Sequence, residues 1–205
     1  MCGRFNIVDD PLVKFTSDLL GLEFNTSSNS NVCPSDSIAT VTSIDNQLVQ
    51  INANWGIKPS WSKKLLINAQ SETVDSKKTF QDAYKHHRCV IPFSGWYEWK
   101  VKIPESDTDT KVAVNKKSKQ KYLFEKKGQP LFMAAILFKQ PSEISNEFEL
   151  VSLTTAANEE CKPIHNRMPL LINHSNIVDW LTKEPEEINN LLFSITSNIN
   201  INKVT

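Results

Sequence analysis

Glycine is scarce in this 205-residue chain, with five residues, and none of them stands in an Asn-Gly or Gly-Asp pair. That argues against the downstream elements from which amidohydrolases with an N-terminal cysteine build an oxyanion hole and a substrate-amine site. Net charge is missing too: 23 Lys and Arg balance 23 Asp and Glu, so bulk electrostatics cannot hold a polyanion and any nucleic-acid site must be local. No apolar run approaches the roughly 20 residues that span a bilayer, and the start carries no basic-then-apolar secretory pattern. The expected location is intracellular, nuclear in a eukaryote and cytoplasmic in a bacterium. Cys2, Cys33, Cys89 and Cys161 are widely spaced and form no C-x-x-C pair, which argues against a disulfide framework and against a zinc site. His86, His87 and Cys89 in "HHRC" lack a second ligand pair at a suitable spacing, so no metal and no cofactor are expected.

What is present reads as α+β. "DDPLVKFTSDLLG" predicts a first helix with Asp10 as cap, Pro11 at the first helical position, Leu12, Phe15 and Leu19 along one side and Gly21 as the stop. "IATVTSI", "LVQINANWGI", "HRCVIPF", "WYEWKV", "KYLFEKK", "PLFMAAILF" and "FELVSLTT" are short, β-branched and aromatic, and separated by turn residues. They predict a twisted, mainly antiparallel sheet with a barrel-like core. Helices are expected at "SKKTFQDAYKHH", at "SNIVDWLTK" with Ser175 as cap, and at "PEEINNLLFSI". One domain is expected over residues 1–205, with a core over about 2–185, a polar and basic loop over 101–119 and a loosely held tail over 195–205.

Six segments carry chemistry. "MCGRF" places Cys2 behind an initiator Met that is ordinarily trimmed, leaving an amine and a thiol on adjacent carbons. Such a pair closes a thiazolidine on an aldehyde. "WGIKPSW" sets Trp55 and Trp61 near a turn, as core caps or as stacking platforms. "INAQSET" clusters Asn68, Gln70, Ser71, Glu72 and Thr73. In "IPFSGWYEWK" strand alternation puts Trp96 and Glu98 on one face and Tyr97 and Trp99 on the other. A carboxylate among aromatics has a raised pKa and suits proton transfer. "KPIHNRMP" presents His165 and Arg167 between two prolines. "NSNVCPSD" adds a rigid turn at Asn31 and Pro34.

Taken in order, "MCGRF", "NVCPSD", "WGIKPSW", "INAQSET", "RCVIPFSGWYEWK", "PLFMAAILF", "LTTAAN" and "IHNRMPLLI" resemble the motifs of the SRAP family, whose members shield abasic sites in single-stranded DNA. The resemblance runs from Cys2 to about Trp180. It implies covalent trapping of the ring-opened abasic aldehyde by Cys2 as a thiazolidine, a lyase-like chemistry in the service of DNA repair. By the same resemblance Asn68 holds the N-terminus, Glu98 shuttles protons, His165 protonates the sugar-ring oxygen, and Arg4, Asn31, Pro34, Trp61, Ser71, Thr154 and Arg167 form the DNA-contacting surface. The implied partner is single-stranded DNA with abasic sites, met by a monomer that uses no cofactor and no membrane. Gln70 stands where family members commonly carry Arg, and Cys33 where an Ala is usual. Both departures bear on DNA affinity rather than on crosslinking. Two other readings stay open: a peptidase or N-terminal-nucleophile hydrolase, with removal of Met1 as its own reaction, and a reader of modified DNA that does not use the thiol.

Overall fold

The computed structural model describes residues 2–102, 118–139, 148–193 and 196–204. Most of the polar and basic segment 101–119 therefore lies outside the described residues. In chain order the elements are β1 (Phe5–Ile7), α1 (Asp9–Leu20), β2 (Asn29–Val32), β3 (Ser37–Ile44), β4 (Gln47–Trp55), β5 (Asn68–Gln70), α2 (Gln81–His86), β6 (Arg88–Phe93), β7 (Gly95–Val101), β8 (Lys119–Glu125), β9 (Leu131–Lys139), β10 (Phe148–Ala156), β11 (Arg167–Pro169), α3 (Ile177–Thr182) and β12 (Asn200–Val204). No helix among the described residues is long and apolar enough to cross a membrane.

Two sheets carry these strands. The smaller runs β12-β8-β7-β1-β2 and the larger β11-β10-β4-β3-β6-β9. β10 also pairs with β9, so β10, β4, β3, β6 and β9 close on one another and give the barrel-like core expected. Pairing is antiparallel except where β10 runs parallel to β4 and to β5. The seven apolar runs singled out above all form strands, because alternating or continuous β-branched and aromatic residues suit a pleated surface buried on one or both sides.

Each face buries its own cluster. One gathers Phe24, Tyr84, Phe132, Leu153 and Trp180 under the helices. The other gathers Cys2, Phe5, Trp55, Phe93, Trp96 and Phe124 between the sheets. Gly95 lets β7, β1 and β8 approach closely, since a Cβ there would stand 2.6 Å from Phe124 O and 3.2 Å from Asn6 Oδ1.

The helices depart from expectation in ways that packing explains. Asp10 keeps an extended backbone (φ −101°, ψ 120°), as residues before proline prefer. It is the Asp9 carboxylate that takes the Asp10 N–H at 3.0 Å and the Ser28 hydroxyl at 2.6 Å. Leu12, Thr16 and Leu20 form the buried stripe of α1, Phe15 is half-buried, and Leu19 faces outward. The stop at Gly21 holds, with φ 65° and its N–H on Ser17 O. Ser175 lies inside a short 3₁₀ turn before α3 rather than capping it, and the segment after α3 forms 3₁₀ turns at Pro185–Glu187 and Asn189–Phe193.

The tail corrects the sequence reading most plainly. Residues 195–205 were expected to be loose, yet Asn200–Val204 pair antiparallel with β8 from Glu125 to Lys121. The alternation Ile199-Asn-Ile201 supplies the cause: it sends both isoleucines to the cluster that contains Trp96 and Phe124.

Candidate active site

Cys2 is wholly buried beside β1, in the cluster between the sheets. Asn68, the first residue of β5, donates from Nδ2 to Cys2 O at 2.9 Å. β5 is placed by its parallel register on β10, which sets Ser152 opposite Asn68. The Ser152 hydroxyl donates to Asn68 Oδ1 at 2.6 Å, with Ile67 O at 3.1 Å as a second acceptor within reach. Asn68 is thus held at both ends of its amide. Sequence reasoning missed Ser152, whose only signal is a small hydroxyl in the otherwise apolar run "LVSL".

Glu98 lies on the inner face of β7 and is 4% exposed. Alternation is borne out: Trp96 shares this inner face, while Tyr97 on the other receives the Lys121 ammonium 3.7 Å from its ring centroid. Burial lifts the Glu98 carboxyl to about 7, and the positive charge at the N-terminus acts in the opposite direction. Burial also pushes the Cys2 thiol far above its ordinary range, and the Glu98 carboxylate raises it further. Cys2 and Glu98 therefore share one electrostatic environment. The thiol rests protonated, with a group that titrates near neutrality as its neighbour.

His165 stands in the turn before β11, where the Arg167 backbone nitrogen lies 3.1 Å from Nδ1. The Arg167 carbonyl oxygen also lies 3.1 Å from Nδ1, so this nitrogen can accept from the Arg167 N–H or donate to its carbonyl. Burial lowers the imidazole pKa, and the N-terminal charge lowers it further, so the ring is largely neutral at pH 7. The N-terminal charge acts on Cys2, Glu98 and His165 alike. With Asn68 bonded to Cys2, the structure gathers the four groups around the start of the chain.

The surface residues divide. Trp61 is 68% exposed and Asn31 is exposed, while Arg4 and Pro34 are partly so. Trp55, the other tryptophan of its motif, is a core residue whose Nε1 donates to Ile67 O at 2.9 Å. Ser71 and Thr154, expected on the contact surface, are buried. The reason is the pairing of β5 with β10, which turns the Thr154 hydroxyl inward to Ala69 O at 3.3 Å. Arg167 is not an open fork: Nη1 and Nη2 bond the Glu72 carboxylate at 2.5 Å and 2.8 Å, and Nη2 also reaches Thr154 O at 2.6 Å. Gln70 is exposed at the end of β5, and Cys33 bonds only locally, to Asn31 O at 3.1 Å. Among the described residues no group of three or more His, Cys, Asp or Glu could hold a metal ion. A groove of about 810 Å³ beside β2 is lined by Asn, Ser and Thr with no ionisable side chain, and offers nothing for proton transfer.

The chain is 31% identical to abasic site processing protein YoqW of Bacillus subtilis, over 94% of this chain and 86% of that one. It is 30% identical to abasic site processing protein YedK of Escherichia coli, over 90% and 81% respectively. In fold it is similar to a phage-related protein from Bordetella bronchiseptica, with a TM-score of 0.77, 20% identity and coverage of 99% and 94%. The model of the SOS response associated peptidase (SRAP) family matches residues 1–205, and the chain belongs to that family.

Proposed function

We propose that this protein processes abasic sites in DNA, and that it does so by trapping the ring-opened sugar aldehyde of a single strand on Cys2 once Met1 is removed. The observation that carries the reading is the seating of Cys2: its carbonyl is held by Asn68 at 2.9 Å, and its thiol lies in the field of a Glu98 carboxyl that titrates near 7.

The chemistry follows from these groups. In the tautomer whose Nδ1 accepts from the Arg167 N–H, His165 donates from Nε2 toward the sugar-ring oxygen and favours the open aldehyde. The Cys2 amine adds to the aldehyde carbon and the carbinolamine loses water to an imine, with Glu98 delivering the proton that the leaving hydroxyl needs. The thiol, neutral at rest, then adds to the imine carbon. Its proton passes through Glu98 to the ring nitrogen, so a C–N and a C–S bond form and one water leaves. A carboxyl with a pKa near ambient pH suits both transfers, since it is present in both forms. Selectivity comes from the aldehyde, which intact nucleotides lack. Removal of Met1 uses the same residues on the chain's own first peptide bond, the one peptidase activity the reading includes.

Denaturing electrophoresis tests it. Purified protein, with Met1 removal verified by mass, is incubated with single-stranded DNA bearing one abasic site. A heat-stable shifted band is expected, and Cys2→Ala abolishes it. Correctly processed protein that yields no such band overturns covalent trapping.

A further inference from the structure

Arg167 already holds a two-oxygen anion. Its two Nη atoms meet the two Glu72 oxygens at 2.5 Å and 2.8 Å, the side-by-side arrangement a guanidinium also makes with phosphate. The pair stands next to the chemistry, because the Arg167 backbone N–H and carbonyl both lie 3.1 Å from His165 Nδ1. Glu72 belongs to the 3₁₀ turn Ser71–Thr73 that directly follows β5, whose Asn68 holds Cys2. The contact is neither sealed nor fully wet: the side chains are 17% exposed for Arg167 and 33% for Glu72. Glu72 can therefore leave into water, while Arg167 stays anchored through Thr154 O.

We propose that Glu72 is the resident anion of Arg167 and that a DNA backbone phosphate binds by displacing it, making strand binding an exchange of carboxylate for phosphate. The inference rests on the DNA-binding part of the reading above. The Arg167 guanidinium also holds the Glu72 carboxyl below the usual carboxylate range, so the competitor is ionised at every pH at which a strand would bind. The exchange lowers the hold on any single strand, intact or damaged, and leaves discrimination to the aldehyde step. In a chain of zero formal net charge, it is a local means of keeping undamaged DNA weakly bound. The contrasting role for the pair is a static brace between the β5 turn and the His165 loop, which predicts the opposite sign on removal of the charge.

The experiment measures non-covalent binding of labelled, undamaged single-stranded DNA by fluorescence anisotropy across a salt series, with every variant carrying Cys2→Ala. Glu72→Gln is expected to bind about fivefold tighter, the scale of a partly exposed ion pair. Its log K against log salt should be steeper by about 0.7, because no displaced carboxylate recaptures a cation. In an Arg167→Ala background the same substitution should change nothing. Should Glu72→Gln fail to fold by thermal melting, Glu72→Asp, too short to keep both bonds, carries the same expectation. Unchanged or weaker binding overturns the exchange, as does a gain that persists without Arg167 or an absence of strand binding by every variant. Crosslinking of the parent protein to abasic DNA is scored separately. Crosslinking without the affinity gain sinks the exchange alone, and the gain without crosslinking sinks only the covalent chemistry.

Discussion

Arg88 and Glu98 sit on consecutive strands, and both are charged side chains placed inside the protein, at 7% and 4% exposure. Their surroundings differ completely. Arg88 spends its donors on main-chain carbonyls: Trp180 O at 2.6 Å, Tyr84 O at 2.8 Å, Lys85 O at 3.1 Å, and Lys183 O. Those are terminal carbonyls of α2 and α3, so a single guanidinium caps two helix C-termini where their dipoles favour a cation. The rings of Tyr84 and Trp180 flank it at 5.7 Å and 5.8 Å, and no carboxylate pairs with it among the described residues. Glu98, in contrast, is pushed toward its neutral form and titrates near 7. A buried charge surrounded by fixed acceptors is structural, whereas one whose protonation is balanced near ambient pH is equipped for chemistry.

That contrast can be broken from either side. The largest effect is expected from Glu98→Gln, which keeps the shape and removes the proton shuttle: crosslinking should slow by at least about 100-fold while the protein stays folded. The same variant tests the electrostatics. Because the folded pKa lies above the ordinary value of 4.5, the native state binds more protons between the two. The contribution of Glu98 is then fully present below about pH 4.5 and is lost as pH rises through 7, on the order of 3 kcal/mol across that window. Urea melts of the parent should show that decline, and Glu98→Gln should flatten it. A parent curve as flat as the variant's would mean the carboxyl is ionised throughout.

The converse substitution is Arg88→Ala. It strands carbonyls at two helix ends and should cost about 3 kcal/mol in urea unfolding, with the crosslinking rate of the folded fraction kept within about twofold. A large loss of rate at full stability would make Arg88 part of the chemistry and erase the contrast. The smallest effect is expected from Ser152→Ala, which frees one end of the Asn68 amide. Loss of that single hydrogen bond corresponds to about 1 kcal/mol, or roughly fivefold in crosslinking rate, and Asn68→Ala combined with it should add nothing beyond Asn68→Ala alone.

Strands were the legible part of this protein. Runs such as "PLFMAAILF" and "FELVSLTT" can bury their side chains only on a pleated surface, so composition alone placed them, and alternation alone sent Glu98 inward with Trp96. Short helices were less legible, since six-residue segments such as α2 and α3 gain little from propensity and are set by what they pack on. The tail was misread because polarity outweighed the two isoleucines that pin it to β8.

Chain order and residue type thus settled which groups were available: an aminothiol at Cys2, a carboxyl among aromatics at Glu98, an imidazole between prolines at His165. Whether they meet was a matter of long-range pairing. The parallel register of β5 on β10 brings Asn68 to Ser152 and to the Cys2 carbonyl, and the same register buries Ser71 and Thr154. β11 on β10 sets the Arg167 guanidinium against Glu72. Local preferences act over a few residues, whereas these contacts join positions 66 to 95 residues apart. Charge neutralisation at Arg167 and desolvation at Glu98 exist only once that pairing has formed.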